Sequence, residues 1–124
     1  MSTEIFVFGS NIEGIHKKGA ALKAYNEYGA IMGNGEGMQG RAYAIPTKAT
    51  PWITLPLTAI NLYVAKFICF AKGCPELMFH VTPIGCGLAG HDASNIAPMF
   101  RLATDLHNVR LPKEFLHYLD KEGF

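Results

Sequence analysis

Charge of either sign is scarce in this chain. Asp, Glu, Lys and Arg make up 17% of its 124 residues, and the formal net charge is +1. A nucleic-acid binder carries a basic excess or stripe that neutralises phosphates. The longest basic run here is His16-Lys17-Lys18, so charge argues against a nucleic-acid partner. Long apolar runs are missing too. No stretch approaches the ~20 apolar residues that span a bilayer, so no membrane association is expected. The stretch 1–11 places Glu4 ahead of a short apolar run that stops at Gly9, which does not read as a secretory leader. Cysteine is sparse. Cys69, Cys74 and Cys86 are odd in number and form no Cys-x-x-Cys pair, which points to a reduced, cytoplasmic compartment. No His, Cys or Asp spacing matches a metal site, and no cofactor is expected. Repeats, low-complexity segments and linkers are also absent, so one domain over residues 1–124 is expected.

What the chain does have is apolar material. Hydrophobic residues make up 49%, enough for a real core. Glu4 to Phe8 is short, apolar and β-prone, and reads as a buried strand ending at Gly9. From about Lys18 to Tyr28, Ala21, Leu22, Tyr25 and Tyr28 keep helical spacing, with Gly29 placed as a C-terminal cap. The stretch 33–40, GNGEGMQG, is too rich in glycine for either regular state. Ala42 to Ile45 predicts a strand ended by Pro46. Pro56 suits the first turn of a helix. Leu57, Ile60, Val64, Phe67, Ile68 and Ala71 continue that helix until Gly73 and Pro75 stop it. Leu77 to Val81 predicts another buried strand. Pro98 belongs in a first helical turn, which puts a helix start near Ser94 or Asn95 and its end near Leu106. Asn108 to Leu111 predicts a short strand, and the stretch from Pro112 a terminal helix. Strands alternating with helices predict an α/β fold with a largely parallel sheet. Ligands of such sheets sit outside the carboxyl ends of the strands.

Ten of the thirteen glycines fall in three patches, 9–19, 33–40 and 85–90. Glycine lets backbone N–H groups approach and turn toward a ligand, and a helix N-terminus adds partial positive charge. Two such patches joining strands to helices point to an anion or nucleotide site. The plain alternative is turn chemistry. Familiar nucleotide motifs fail on inspection. Gly14 to Gly19 has P-loop spacing, but Ala20 and Ala21 stand where Lys and Ser or Thr must be. Gly35, Gly37 and Gly40 match the Rossmann glycine spacing, but a strand pattern follows them rather than a helix.

Four blocks taken together resemble the macro domain: FGSN (8–11), HKKGAALKAY (16–25), YAIPTK (43–48) and VTPIGCGLAG (81–90). The likeness covers roughly residues 4–106. It is nearest to terminal ADP-ribose protein glycohydrolases and to small phage and bacterial macro-like proteins. It implies a minimal three-layer α/β/α fold, with a mostly parallel mixed sheet, that binds an ADP-ribose-like small molecule. On this resemblance Gly19, Ala20 and Ala21 form a first phosphate loop at a helix N-terminus. Ile84, Gly85, Cys86, Gly87, Leu88, Ala89 and Gly90 wrap the diphosphate and distal ribose. Gly9, Ser10 and Asn11 border the ligand, with Asn11 near the ribose or adenine. Lys48 falls near the branch's catalytic lysine, which attacks ADP-ribose linked to a carboxylate; an ADP-ribosylated protein would then be a partner. The chain departs from that branch at Ala89, where the enzymes carry an acid. Asp92, three positions on, is either a substitute or a helix cap. Binding alone, hydrolysis through Lys48, and sequestration of an ADP-ribose-type signal in a phage or defence setting all remain open.

Other side chains carry two readings each. Lys48 also reads as a solvated loop lysine. His16 and His91 flank the proposed phosphate loops, though surface histidines are commoner. His80 reads as a satisfied core histidine. Cys86 reads as a small packing residue rather than a nucleophile, since no basic partner is evident. Trp52 and Tyr43 could stack on adenine or pack in the core.

Overall fold

The computed structural model describes residues 3–122. The ends of the expected domain, residues 1–2 and 123–124, lie outside the described residues. The chain runs β1 (Thr3–Asn11), α1 (Gly19–Glu27), β2 (Gly37–Gln39), β3 (Ala42–Thr50), β4 (Ile53–Thr54), α2 (Leu57–Lys72), β5 (Leu77–Val81) and α3 (Ala93–Ile96). A 3₁₀ helix (Ala97–Asp105), β6 (Val109–Arg110) and α4 (Lys113–Glu122) complete it. The sheet order is β2-β3-β1-β5-β6, with β4 paired to β3. β1 runs parallel to both β3 and β5, and β5 parallel to β6; β2 and β4 pair antiparallel to β3.

This order dictates three layers. The connection from β1 to β3 moves one way across the sheet, and that from β3 to β5 moves back past β1. Right-handed crossovers therefore place α1 and α2 on opposite faces. Alternation along β1 serves both faces. Ile5 and Val7 join the large cluster with Ile60, Val64, Phe67 and Phe79. Phe8 turns to the other side and packs with Ala21, Ala24, Ala30, Ala42 and Ala44. The expected α/β fold, with helices on a mostly parallel mixed sheet in three layers, is what the structure has.

Several boundaries differ from the sequence reading, each for a physical reason. β1 continues past Gly9 because Gly9, Ser10 and Asn11 still pair with β3. β3 likewise continues through Pro46. The ladder shifts register between Ser10 and Asn11, beside the Ser10–Pro46 pair, so the missing proline N–H falls at an irregularity. The stretch 33–40 is not wholly irregular, since β2 lies within it as an edge strand. Gln39 is buried there, its carbonyl accepting from the Ile31 N–H at 2.8 Å. α1 buries Ala21 and Ala24 rather than the expected Leu22 and Tyr25, which are exposed. Its docking face is built from alanines, which leaves room for Phe8 of β1 in the same cluster.

The helix after the glycine loop starts at Ala93, with Asp92 rather than Ser94 or Asn95 at its cap. It is α-helical for one turn and 3₁₀ from Ala97 on, with Pro98 in the first turn of the tighter helix. The β5 strand, α2 with its stop at Gly73, β6 and α4 lie where the sequence placed them.

Phe67 sits at the centre of the α2 face with no exposed surface, meeting Tyr43 at 5.1 Å, Phe79 at 5.4 Å and Phe100 at 6.3 Å between ring centroids. Phe67→Ala is expected to cost about 3–5 kcal/mol. Urea unfolding checks it: the midpoint falls and the slope stays the same.

Candidate functional site

Parallel pairing brings the carboxyl ends of β3, β1 and β5 to one edge of the sheet, and their following segments enclose a cleft of about 1120 Å³. Thirteen of the fourteen residues singled out from sequence line it. They are Gly9, Ser10 and Asn11 from β1; Gly19, Ala20 and Ala21 from α1; Lys48 from β3; and Ile84, Gly85, Cys86, Gly87, Leu88 and Ala89 from the glycine loop. Gly90 is the exception. Its N–H donates to the Gly87 carbonyl at 3.1 Å and closes the loop from outside the cleft wall.

The glycine loop is shaped by its backbone. Gly85 adopts φ +77°, and a Cβ there would meet the Ile96 side chain at 3.1 Å, so a side chain would be both strained and crowded. The Cys86 amide donates to the Pro83 carbonyl at 3.3 Å, and the His91 amide to the Gly85 carbonyl at 2.8 Å. Among the described residues, the N–H groups of Gly87, Leu88 and Ala89 have no hydrogen-bond acceptor. Across the cleft is the start of α1, whose first N–H groups lack intrahelical acceptors by geometry. The Leu88 side chain comes close enough to the start of α1 that a Cβ on Gly19 would meet it at 3.5 Å.

The end of β1 is held from beneath. Ser10 is buried and its hydroxyl donates to the Gly35 carbonyl. A Cβ on Gly35 would collide with the Asn11 and Ile12 carbonyls. Of the glycine triplet that imitates a Rossmann fingerprint, Gly35 is thus a buttress under the site, while Gly40 lies against Tyr28 and Gly29 instead. Asn11 does not extend a free amide toward a ligand. Its Nδ2 donates to the Ile15 carbonyl and its Oδ1 accepts from the Ile15 N–H, both at 3.0 Å. That clamp orients the segment leading to Lys17 and Lys18. His16 is fully buried, not on the surface. Its Nε2–H donates to the Asn34 carbonyl at 2.9 Å and its ring stands edge-on to Phe8. Local periodicity could not show this, because Asn34 is distant in sequence.

The other candidates separate clearly. Tyr43 is core: it packs on Phe67 and Phe70, and burial, with Glu36 adding to it, pushes its phenol up to about 12. It is not available for stacking. Trp52 lines the cleft. His80 is not a core histidine; it is half exposed and pairs with Glu4. His91 donates through Nε2 to the Leu55 carbonyl at 3.2 Å. Lys48 is a cleft residue whose Nζ donates to the Pro51 carbonyl at 3.1 Å. Asp92 takes the helix-cap position, without a side-chain cap bond.

Charge on the wall comes from Lys17, Lys18 and Lys48 against Glu13 and Glu114. Glu114 was invisible to sequence reading. It sits in the first turn of α4, far along the chain, and only packing of α4 against α3 and the 3₁₀ helix brings it to the cleft. Burial first, then Glu114 and Asp92, push the Cys86 thiol above its ordinary range. The thiolate is disfavoured there, in line with a packing role rather than a nucleophilic one.

No family model, curated protein or solved structure matches this chain in the comparisons made with each. Among the described residues, no helix is long and apolar enough to cross a membrane.

The Cys86 environment can be measured. In a background with Cys69 and Cys74 changed to Ser, alkylation of Cys86 should rise with pH to a midpoint above the ~8.5 of a free thiol. Glu114→Gln removes a negative neighbour, so the midpoint should move down while remaining above that value, because burial is the larger cause. An unchanged midpoint in Glu114→Gln would show that the carboxylate does not face the thiol.

Proposed function

We propose that the cleft binds ADP-ribose or a related ADP-ribose-derived nucleotide. One observation carries the reading: three successive unpaired N–H groups, Gly87 to Ala89, stand on the wall facing the N-terminus of α1. Unpaired amides and a helix N-terminus together favour phosphate oxygens over neutral ligands. Three lysines against two glutamates leave the wall with a small positive excess. A volume of about 1120 Å³ suits an extended ligand of dinucleotide size better than a mononucleotide. The block resemblance to the macro domain names ADP-ribose as the ligand of that shape and charge.

A second reading is hydrolysis of a carboxylate-linked ADP-ribose adduct by Lys48. It is favoured by the placement of Lys48 on the same wall system as the glycine loop. An amine that attacks the anomeric carbon needs a partner to handle protons. Ala89 supplies none, and Glu114 is the carboxylate that α4 brings to this cleft.

Calorimetry with ADP-ribose, against AMP and NAD, tests the first reading. Saturable heat is expected, with a dissociation constant below about 1 mM and weaker binding of AMP; no heat from ADP-ribose at millimolar concentration removes it. For the second, wild type and Lys48→Ala are incubated with Glu-linked ADP-ribosylated protein. Hydrolysis predicts release by wild type and at least a hundredfold slower release by the variant, in the range of a lost proton-transfer or nucleophilic group. Equal release, or none by either, removes it.

A further inference from the structure

Trp52 is the one tryptophan in the chain, and 84% of its surface is exposed. Large aromatic side chains left in water mark binding surfaces more often than isolated aliphatic ones do. Its position is not a loose loop tip. The Trp52 backbone N–H donates to the Thr50 hydroxyl at 3.1 Å, and Lys48 Nζ donates to the Pro51 carbonyl at 3.1 Å. Below the tip, Lys48 pairs with Thr54 and the Leu55 N–H donates to the Thr47 carbonyl at 2.9 Å. The hairpin is also tied to the opposite wall. Thr54 Oγ1 donates to the Ala89 carbonyl at 3.0 Å, and His91 Nε2 to the Leu55 carbonyl at 3.2 Å. The β3–β4 hairpin therefore bridges to the glycine loop and presents an indole on the cleft wall.

The shape of the surface identifies the occupant. A protein-docking hot spot sits in a broad, dry patch. Trp52 instead lines a concave cleft beside lysines and unpaired amides, with Leu88, 64% exposed, as the other exposed large apolar group there. Such a site takes a small molecule. A flat indole is best covered by another flat ring, and base–aromatic stacking tolerates any base because each has a π-face. We propose that Trp52 is a ring-stacking, specificity-determining residue: it holds the planar ring of a ligand whose phosphate end lies on the Gly87–Ala89 amides. This rests on the cleft being the anion site argued above, and adds that the ligand must carry a base-like ring.

Calorimetry with ADP-ribose and with ribose 5-phosphate, which has a phosphate and no ring, tests it on wild type, Trp52→Ala and Trp52→Phe. The exposed position leaves folding unaffected, which circular dichroism verifies. Trp52→Ala should weaken ADP-ribose about tenfold or more, Trp52→Phe should stay within about threefold of wild type, and ribose 5-phosphate should bind all three alike. In wild type, ADP-ribose should quench the single tryptophan's fluorescence and ribose 5-phosphate should leave it unchanged. Undiminished binding of ADP-ribose by Trp52→Ala overturns the stack and leaves the anion site standing. Equal weakening of both ligands overturns it as well, because the residue would then only be shaping the cleft. If wild type binds neither ligand, the anion-site reading and the stack fall together.

Discussion

Parallel pairing of β1 with two neighbours at once holds this molecule in register. Phe6 to Ser10 pair with Ala42 to Pro46 on one side, and Thr3 to Val7 with Leu77 to Val81 on the other. Because the three strands share a direction, their carboxyl ends emerge at one edge. Because the two crossovers are right-handed, the helices that follow β1 and β3 lie on opposite faces. The cleft is the place where these requirements meet. Its walls are the start of α1, the turn after β3 and the loop after β5, each following a strand of the parallel ladder.

Side chains then tune what the backbone has placed. The polar contacts around the cleft mostly run from side chain to main chain: Ser10 to Gly35, Asn11 to Ile15, Thr47 to Ser10, Thr82 to Val7, Thr54 to Ala89. Short polar side chains at strand ends are suited to this, because they satisfy carbonyls that the ladder leaves over. The result is a wall whose shape is set by hydrogen bonds within the protein, with the amides of Gly87 to Ala89 left over for something else.

Much of this was legible in the chain itself, and the misses are informative. Elements with strong periodicity or punctuation were readable: α2 by its apolar spacing and Gly73, β5 by its apolar run, α4 by Pro112. The gathering of Gly9, Gly19, Lys48 and Gly85 at one edge followed from the alternation of strands and helices, since strand carboxyl ends must share a side in a parallel sheet. What failed depended on partners distant in sequence. Pro46 looked like a strand end because a local rule cannot see a register shift beside Ser10. Leu22 and Tyr25 looked like a buried face because the surface that α1 meets, Phe8 of β1 with alanines of β3 beside it, is assembled from other elements. His16, His80 and Glu114 were misplaced or missed for the same reason: Asn34, Glu4 and the α3–α4 packing decide where they sit. The family likeness was carried by short blocks at the cleft, and the ligand it implies stays a proposal.

The alanine layer under α1 has a consequence of its own. Ala21 and Ala24 of the helix share one cluster with Ala42 and Ala44 of the sheet, and Phe8 of β1 is the one fully buried large side chain among them. Methyl groups have no rotamers to choose among, so the alanines around Phe8 act as a shim of fixed thickness. It sets how deeply the helix beds into the sheet, and with it the height of the first N–H groups above the strand ends. A larger side chain at any of the four positions would lift one wall of the cleft and leave the other where it is. The clearance between Gly19 and Leu88 is therefore written into residues that touch no ligand, and a related chain could change the girth of what it accommodates by exchanging a buried methyl group for something larger.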